Sequence, residues 1–213
     1  VLHAEHELNA STFVARVAVA TVSDLHSAVV AALGALKGPR HGGANEDVLA
    51  MLEGIGPPER AEPYIRARLE ARARMSPAER ADPRNRIPGW GHRVYKVDDP
   101  RAARLRAIGR RLAERAGVLP LFETAETVYR VMKAGTDLPV NVDFYSAVIY
   151  RALGIPIDLC TSIFAVARVA GWCAHIMEQY GDNRLIRPRA HYTGVEPRPF
   201  VPLEAPMVTE FAL

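Results

Sequence analysis

The sequence is short of the features that would place it outside a reducing compartment or in a membrane. Of 213 residues only two are cysteine, Cys160 and Cys173, and neither has CxxC spacing. A disulfide framework is therefore excluded, and buried free thiols are expected. No apolar run of bilayer-spanning length is free of a charge or a proline, so no membrane span is expected. The first residues lack the charged, apolar, small-residue order of a secretory signal, and a cytoplasmic protein is the expectation. Neither sign of charge dominates, because 27 Lys and Arg against 24 Asp and Glu leave a formal net charge of +3. The arginines sit among acids, as in Glu59-Arg60-Ala61-Glu62 and Glu70-Ala71-Arg72. That mixing describes a solvated helix face rather than a phosphate-binding stripe, and no nucleic-acid partner is expected. His3 and His6, three apart around Glu5, match neither HExxH nor its inverse, so no metal site is expected. Repeats and low-complexity tracts are missing. Strand signals are weak, with Val94-Tyr95-Lys96 the one candidate for brief pairing.

What remains is a helical globular protein: 49% hydrophobic, 24% charged, and long enough for one large domain or two modest ones. The chain opens on Val1, directly into a motif, so a truncated or cleaved chain is expected. Asn9, Ser11 and Thr12 offer caps to a first helix through Phe13–Ala18, and Asp24 caps a second that stops at Gly38-Pro39. Both are apolar on more than one face and read as core helices. Asn45-Glu46-Asp47 opens a third, ending at Gly54-Ile55-Gly56. A charged helix covers 57–74, and 76–86, polar with two prolines, reads as a surface loop. Asp99-Pro100 starts a helix that runs to Gly117. Further helices cover about 120–133, 144–153 and 162–180, the last being the most apolar. Residues 138–143 are extended ahead of Asp143. The tail from 184, rich in proline, is expected to be irregular and wrapped on a surface.

Three loops place a His or Asp beside glycine or proline at a helix boundary: Gly38–Asn45, Pro88–Arg93 and Pro139–Asp143. Glycine lets backbone or ligand come close, and loops on a rigid helical scaffold are where sites are built. Taken singly, each has an ordinary reading, since a His in a turn can be a surface or capping residue and an Asp before a helix can be an N-cap. His175 and His191 lack glycine or acidic context and read as packing or surface residues.

Together the motifs resemble one family. His3–Thr12 resembles its HAEHxxNAST segment, Gly38–Asn45 its GPxHGGAN segment, and Gly91–Lys96 with Asp99-Pro100-Arg101 its GHRVYK…DPR signature. Asn141–Ser146 resembles NVDFYS, and Ile163–Arg168 and Arg187-Pro188-Arg189 complete the set. By these motifs the chain resembles citrate synthase and its relative 2-methylcitrate synthase.

The resemblance implies an all-α citrate synthase fold. It implies a large domain from residues 1–41 and 152–213, lacking the family's N-terminal portion, and a small CoA-binding domain over 42–151. It implies an acyltransferase joining acetyl-CoA to oxaloacetate, with CoA as cosubstrate and no tightly bound cofactor. The alternatives are propionyl-CoA as acyl donor, or a non-catalytic helical module that mainly binds a partner through apolar faces of 11–37 and 162–180. Asp143 would be the carbon base, His41 the enol stabiliser, and His92 the acid for the ketone oxygen. His6, Arg101, Arg168 and Arg187 would bind oxaloacetate, with Arg187 reaching across a homodimer interface. Ile87, Pro88, Gly89, Gly91 and Lys96 would contact CoA. His3 would be a structural neighbour of His6. Trp90 departs from the Tyr, Phe or Met usual in the family, and the 76–86 loop is longer than in compact members; both bear on the CoA contacts. Independently of the family, Arg168 lies in an apolar run, where burying a guanidinium without a partner costs several kcal/mol, so an anion is expected to meet it.

Overall fold

The computed structural model describes residues 1–38 and 41–199. Pro39 and Arg40 of the His41 loop, and the last residues of the tail, lie outside the described residues. The architecture is all-helical: α1 (Ala10–Val19), α2 (Leu25–Leu36), α3 (Ala44–Ile55), α4 (Ala61–Arg74), α5 (Pro77–Ala81), α6 (Pro100–Arg115), α7 (Leu119–Gly135), α8 (Val142–Ala152) and α9 (Cys160–Gly181). Among the described residues extended pairing is confined to one isolated bridge, Trp90 with Val140.

Several boundaries follow from capping chemistry. Asn9 accepts a hydrogen bond from the Thr12 N–H, and Asp24 accepts one from Ser27, each satisfying an orphan donor of a first turn. Gly56, with φ of 77°, ends α3 in a backbone region that side chains disfavour. Asp99 caps α6 and Pro100 takes its first position, where a missing N–H costs nothing.

Three expectations need correction. The stretch 76–86 is not a loop. Ser76 and Glu79 form a reciprocal capping box that starts α5, and a 3₁₀ turn, Pro83–Asn85, follows. The charged helix does not begin at residue 57, because Pro58–Arg60 form a separate 3₁₀ turn before α4. Val94-Tyr95-Lys96 does not pair. The bridge forms instead at Trp90, where Gly89 and Gly91 can take the positive φ values of 81° and 93° that the loop needs.

The helices pack in two groups. α1 and α2 pack on each other and on α9, while α6 packs on α8, α8 on α3, and α7 on α4. α3 also touches α9, joining the groups near His41. The core includes Leu36, Leu49, Leu52, Ile65, Phe144, Tyr145, Trp172 and Ile176. By length and hydropathy the run 157–181 could cross a bilayer, but its middle carries Arg168, 2% exposed, and its buried face packs on α1 and α2. Both cysteines are free; Cys160 is buried, with its thiol pushed up to about 11 by burial, and Cys173 is half-buried. The outer faces of α2 and α9 leave Val30, Val166 and Met177 between 62% and 72% exposed, so the two helices are core on one side only. Residues 182–199 have no regular structure and nearly every side chain there is exposed, so they do not wrap over the described surface.

Candidate active site

Two loops carrying expected site residues are stitched to each other. Beside the Trp90–Val140 bridge, the Gly91 N–H donates to the Pro139 carbonyl (2.7 Å) and the Asn141 N–H donates to the Gly89 carbonyl (3.0 Å). The Asn141 side chain donates to the Gly91 carbonyl and accepts from the Asp143 N–H, capping α8. A Cβ on Gly89 would lie 2.6 Å from the Phe144 ring, so the loop can lie flat on α8 only with glycine there. His92 and Asp143 are thus mounted on one rigid unit.

The neighbouring Asp98 extends this unit. Its carboxylate accepts from the Val140 N–H, the Tyr129 hydroxyl and Lys133 Nζ, while the Asp99 N–H donates to the Val140 carbonyl. Those bonds hold its pKa below the usual carboxylate range against the opposing pull of burial. Asp98→Ala leaves the N–H of the buried Val140 without its acceptor and is expected to cost about 1–3 kcal/mol, measured by urea denaturation. Unchanged stability would show that the contact contributes nothing net.

His92 has its tautomer set by the backbone. The N–H groups of Val94 and Tyr95 both point at Nδ1, at 3.1 and 3.0 Å. Backbone N–H groups only donate, so Nδ1 accepts and the proton sits on Nε2. Burial lowers the pKa, and Asp99, whose Oδ2 is 3.9 Å from Nε2, pulls the other way. The ring stacks on Tyr95 and stands edge-on to His6, with centroids 5.3 Å apart; His6 Nε2 is 3.1 Å from the Tyr95 hydroxyl.

His41 follows the same logic. The Ser11 N–H donates to its Nε2 at 3.3 Å. The Ser11 hydroxyl lies 2.8 Å from both Nε2 and Asn9 Oδ1, two acceptors for its one proton, and accepts from Trp172 Nε1. The imidazole proton therefore sits on Nδ1. Burial first, and the Arg168 charge second, lower the pKa to about 4, so the ring is neutral at ordinary pH.

Asp143 is the opposite case. Its Oδ1 is sealed from solvent with no hydrogen-bond partner among the described residues. Burial raises the pKa to about 7; Asp99 pushes the same way, and Arg101 and Arg168 pull it down.

Arg168 and Arg101 are both largely buried. Arg168 donates from Nε to the His3 carbonyl and stacks over Phe164, while its Nη1 is buried with no partner among the described residues. Burial and the Arg101 charge lower its pKa to about 10. Arg101 grips the fully buried Asp99 carboxylate through Nε and Nη2. His3 is buried edge-on against Phe164, with burial lowering its pKa to about 4, and its listening post on the site is its carbonyl rather than its ring.

The remaining expected contacts are less assembled. Ile87 is buried, and Pro88 half-buried. The Gly89 carbonyl and both backbone groups of Gly91 are already used in the bridge. Trp90 turns inward against Tyr129 and Phe144, away from any ligand-facing role. Lys96 and Arg187 are exposed. His175, whose neighbours in sequence suggest a packing or surface residue, is half-buried between Glu5 and Arg16. Ser11, Tyr95, Asp98 and Asp99 were not singled out as site residues. Asp99 had a signal, since a cap two residues before an arginine can grip it.

His6, His92, Asp99 and Arg101 form one cluster, and His41 and Asp143 both feel the charge of Arg168. Fold and site define an all-helical protein in which a carboxylate with a sealed, unpaired oxygen and two imidazoles of fixed tautomer are gathered around buried arginines. The family model "Citrate synthase, C-terminal domain" matches residues 1–189. Citrate synthase 2 of Bacillus subtilis is 54% identical over 204 residues, covering 96% of this chain and 52% of that protein. 2-Methylcitrate synthase 2 of Corynebacterium glutamicum is 43% identical over 204 residues, covering 96% and 50%. A solved ternary complex of citrate synthase from Thermoplasma acidophilum with carboxymethyl coenzyme A and oxaloacetate superposes with a TM-score of 0.81 at 36% identity, covering 95% of this chain and 52% of that one. The chain belongs to the citrate synthase family. It spans about half the length of the relatives it matches.

Proposed function

We propose that this chain supplies the catalytic part of an acyltransferase that condenses acetyl-CoA with oxaloacetate to citrate and CoA. The observation that carries the reading is Asp143, a carboxylate with an unpaired buried oxygen and a pKa near 7, which shares the field of Arg168 with His41 and that of Asp99 and Arg101 with His92. The thioester methyl group is a very weak carbon acid, so a base must act while a donor stabilises the enolate oxygen. Asp143 takes the methyl proton as His41 Nδ1–H bonds the thioester oxygen. The enol carbon then attacks the ketone of oxaloacetate, and His92 Nε2–H delivers its proton to the oxygen that becomes the hydroxyl. Water cleaves the thioester, releasing CoA. His6, Arg101, Arg168 and Arg187 hold the dicarboxylate; the orphan Nη1 of Arg168 is suited to a carboxylate oxygen.

In this reading 42–151 is the small domain closing over CoA, with Ile87, Pro88, Gly89, Gly91 and Lys96 as its contacts, and 1–41 with 152–213 belong to the large domain. A homodimer with Arg187 reaching the other site would cover exposed apolar surface on α2 and α9. Relatives named for 2-methylcitrate favour propionyl-CoA as a second donor. One methylene is worth about 1–3 kcal/mol of discrimination.

The test is oxaloacetate-dependent CoA release by the full protein, from acetyl-CoA and from propionyl-CoA, across pH 5–9. An acidic limb in kcat/KM is expected near pH 7, because activity needs Asp143 ionised and rises as its proton leaves. His41 does not add to that limb, having lost its proton near pH 4. No turnover with either donor would favour the non-catalytic module, whose supporting feature is the exposed apolar face.

A further inference from the structure

We propose that Arg16, His175 and Glu5 form a relay that fixes the backbone turn carrying His6, so that His175 is a positioning residue for the dicarboxylate; this rests on the function proposed above. His175 projects from α9, and its Nε2 lies 2.7 Å from Glu5 Oε1. Arg16 Nη1, from α1, lies 3.0 Å from His175 Nδ1 and 3.4 Å from the His175 carbonyl. A guanidinium has no lone pair to offer, so Nδ1 accepts, and the imidazole proton sits on Nε2 and is donated to Glu5. Glu178 closes the outer end by pairing with Arg16, with its Oε2 3.8 Å from His175 Nδ1. Glu5, Arg16 and Glu178 are the charged groups facing His175.

The inner end of the relay acts on the backbone. Glu5 Oε2 accepts from the Glu7 N–H at 2.8 Å. Glu7 has φ of 53°, a left-handed conformation that a non-glycine residue keeps only where its surroundings hold it there. One carboxylate thus links a helix side chain to the strained residue just after His6. The side chain of His6 then reaches the Tyr95 hydroxyl and the His92 ring. Side chains of Glu5 and His175 are 46% and 17% exposed, and an ion pair so placed contributes little to stability. Loss of the relay should therefore appear in substrate binding.

The experiment is steady-state kinetics of the full protein carrying His175→Leu, His175→Gln, Glu5→Ala and the Leu/Ala double substitution, with thermal midpoints followed in parallel. His175→Leu is expected to raise KM for oxaloacetate about tenfold, as loss of a charge-assisted hydrogen bond would, with KM for acetyl-CoA held within about twofold. His175→Gln, whose amide N–H can replace the Nε2 donor, should recover most of the loss. The double substitution should be no worse than Glu5→Ala alone. An unchanged oxaloacetate KM, an equal rise in both KM values, or additive effects would overturn the relay. If His175→Leu does not fold, Arg16→Gln at the outer end decides, with the same oxaloacetate-only shift expected and its absence counting against the relay. No oxaloacetate-dependent turnover in the parent protein would overturn both readings; turnover with insensitive variants would overturn the relay alone.

Discussion

Asp143→Asn in the full protein is expected to cut kcat by about 10²- to 10⁴-fold, the usual range for a positioned general base, while raising thermal stability at pH 8. Both effects come from one fact. The side chain is half-buried, and its Oδ1 is sealed from solvent with no hydrogen-bond partner among the described residues. Burial raises its pKa from 3.8 to about 7. Below pH 3.8 the group is protonated in folded and unfolded chains alike, and the substitution changes little. Between there and pH 7 the unfolded chain has released its proton and the folded one still holds it, so stability falls as pH rises. Above pH 7 the folded protein carries the full cost of a buried charge, and the neutral amide removes it. An inactive variant that melts higher at pH 8 and equally at pH 3.5 is the expected result. A variant with near-normal turnover would remove Asp143 from the role of base, and one that is inactive and less stable at pH 8 would point to a structural carboxylate instead.

Gly171→Ala is expected to lower kcat/KM for oxaloacetate about 100-fold, because a Cβ at Gly171 would sit 2.1 Å from the Ala4 carbonyl oxygen, and a backbone shift of about 1 Å near a site can cost 10²-fold. Neither neighbour is a flexible side-chain end that could swing away. One is the body of α9, and the other is the backbone that leads into His6. Arg168 holds the same segment through the His3 carbonyl, and Trp172 reaches Ser11 beyond it. Overpacking of this kind also costs about 1–3 kcal/mol of stability. Oxaloacetate binding by calorimetry, beside a melting curve, separates the two losses. Normal binding in Gly171→Ala would mean that the segment yields without moving His6.

Much of this was legible in the residues. Asn9, Asp24 and Asp99 marked helix starts, because a side-chain acceptor before an apolar run has few other uses there. Arg168 announced a burial problem, and its Nη1 has no partner among the described residues. The 76–86 stretch reads as a loop because its two prolines look like breakers, although Pro77 stands at the first helical position, where proline is tolerated. The partners of His175, Glu5 and Arg16, are not legible in the residues because they are remote from it in sequence.

By itself, then, the sequence determined the helical class and the family, and it named the candidate groups for the chemistry, since caps, periodicity and motifs are local or short-range. Only the tertiary structure decided the state of those groups. The proton on His92 is set by two backbone N–H groups of its own loop once that loop is folded against α8. The proton on His41 is set by Ser11 from another helix, and the raised pKa of Asp143 by the depth at which α8 is packed. Tautomer and ionisation depend on which atoms meet across the fold and on how much water is excluded. Those are properties of packing, which no stretch of residues carries alone.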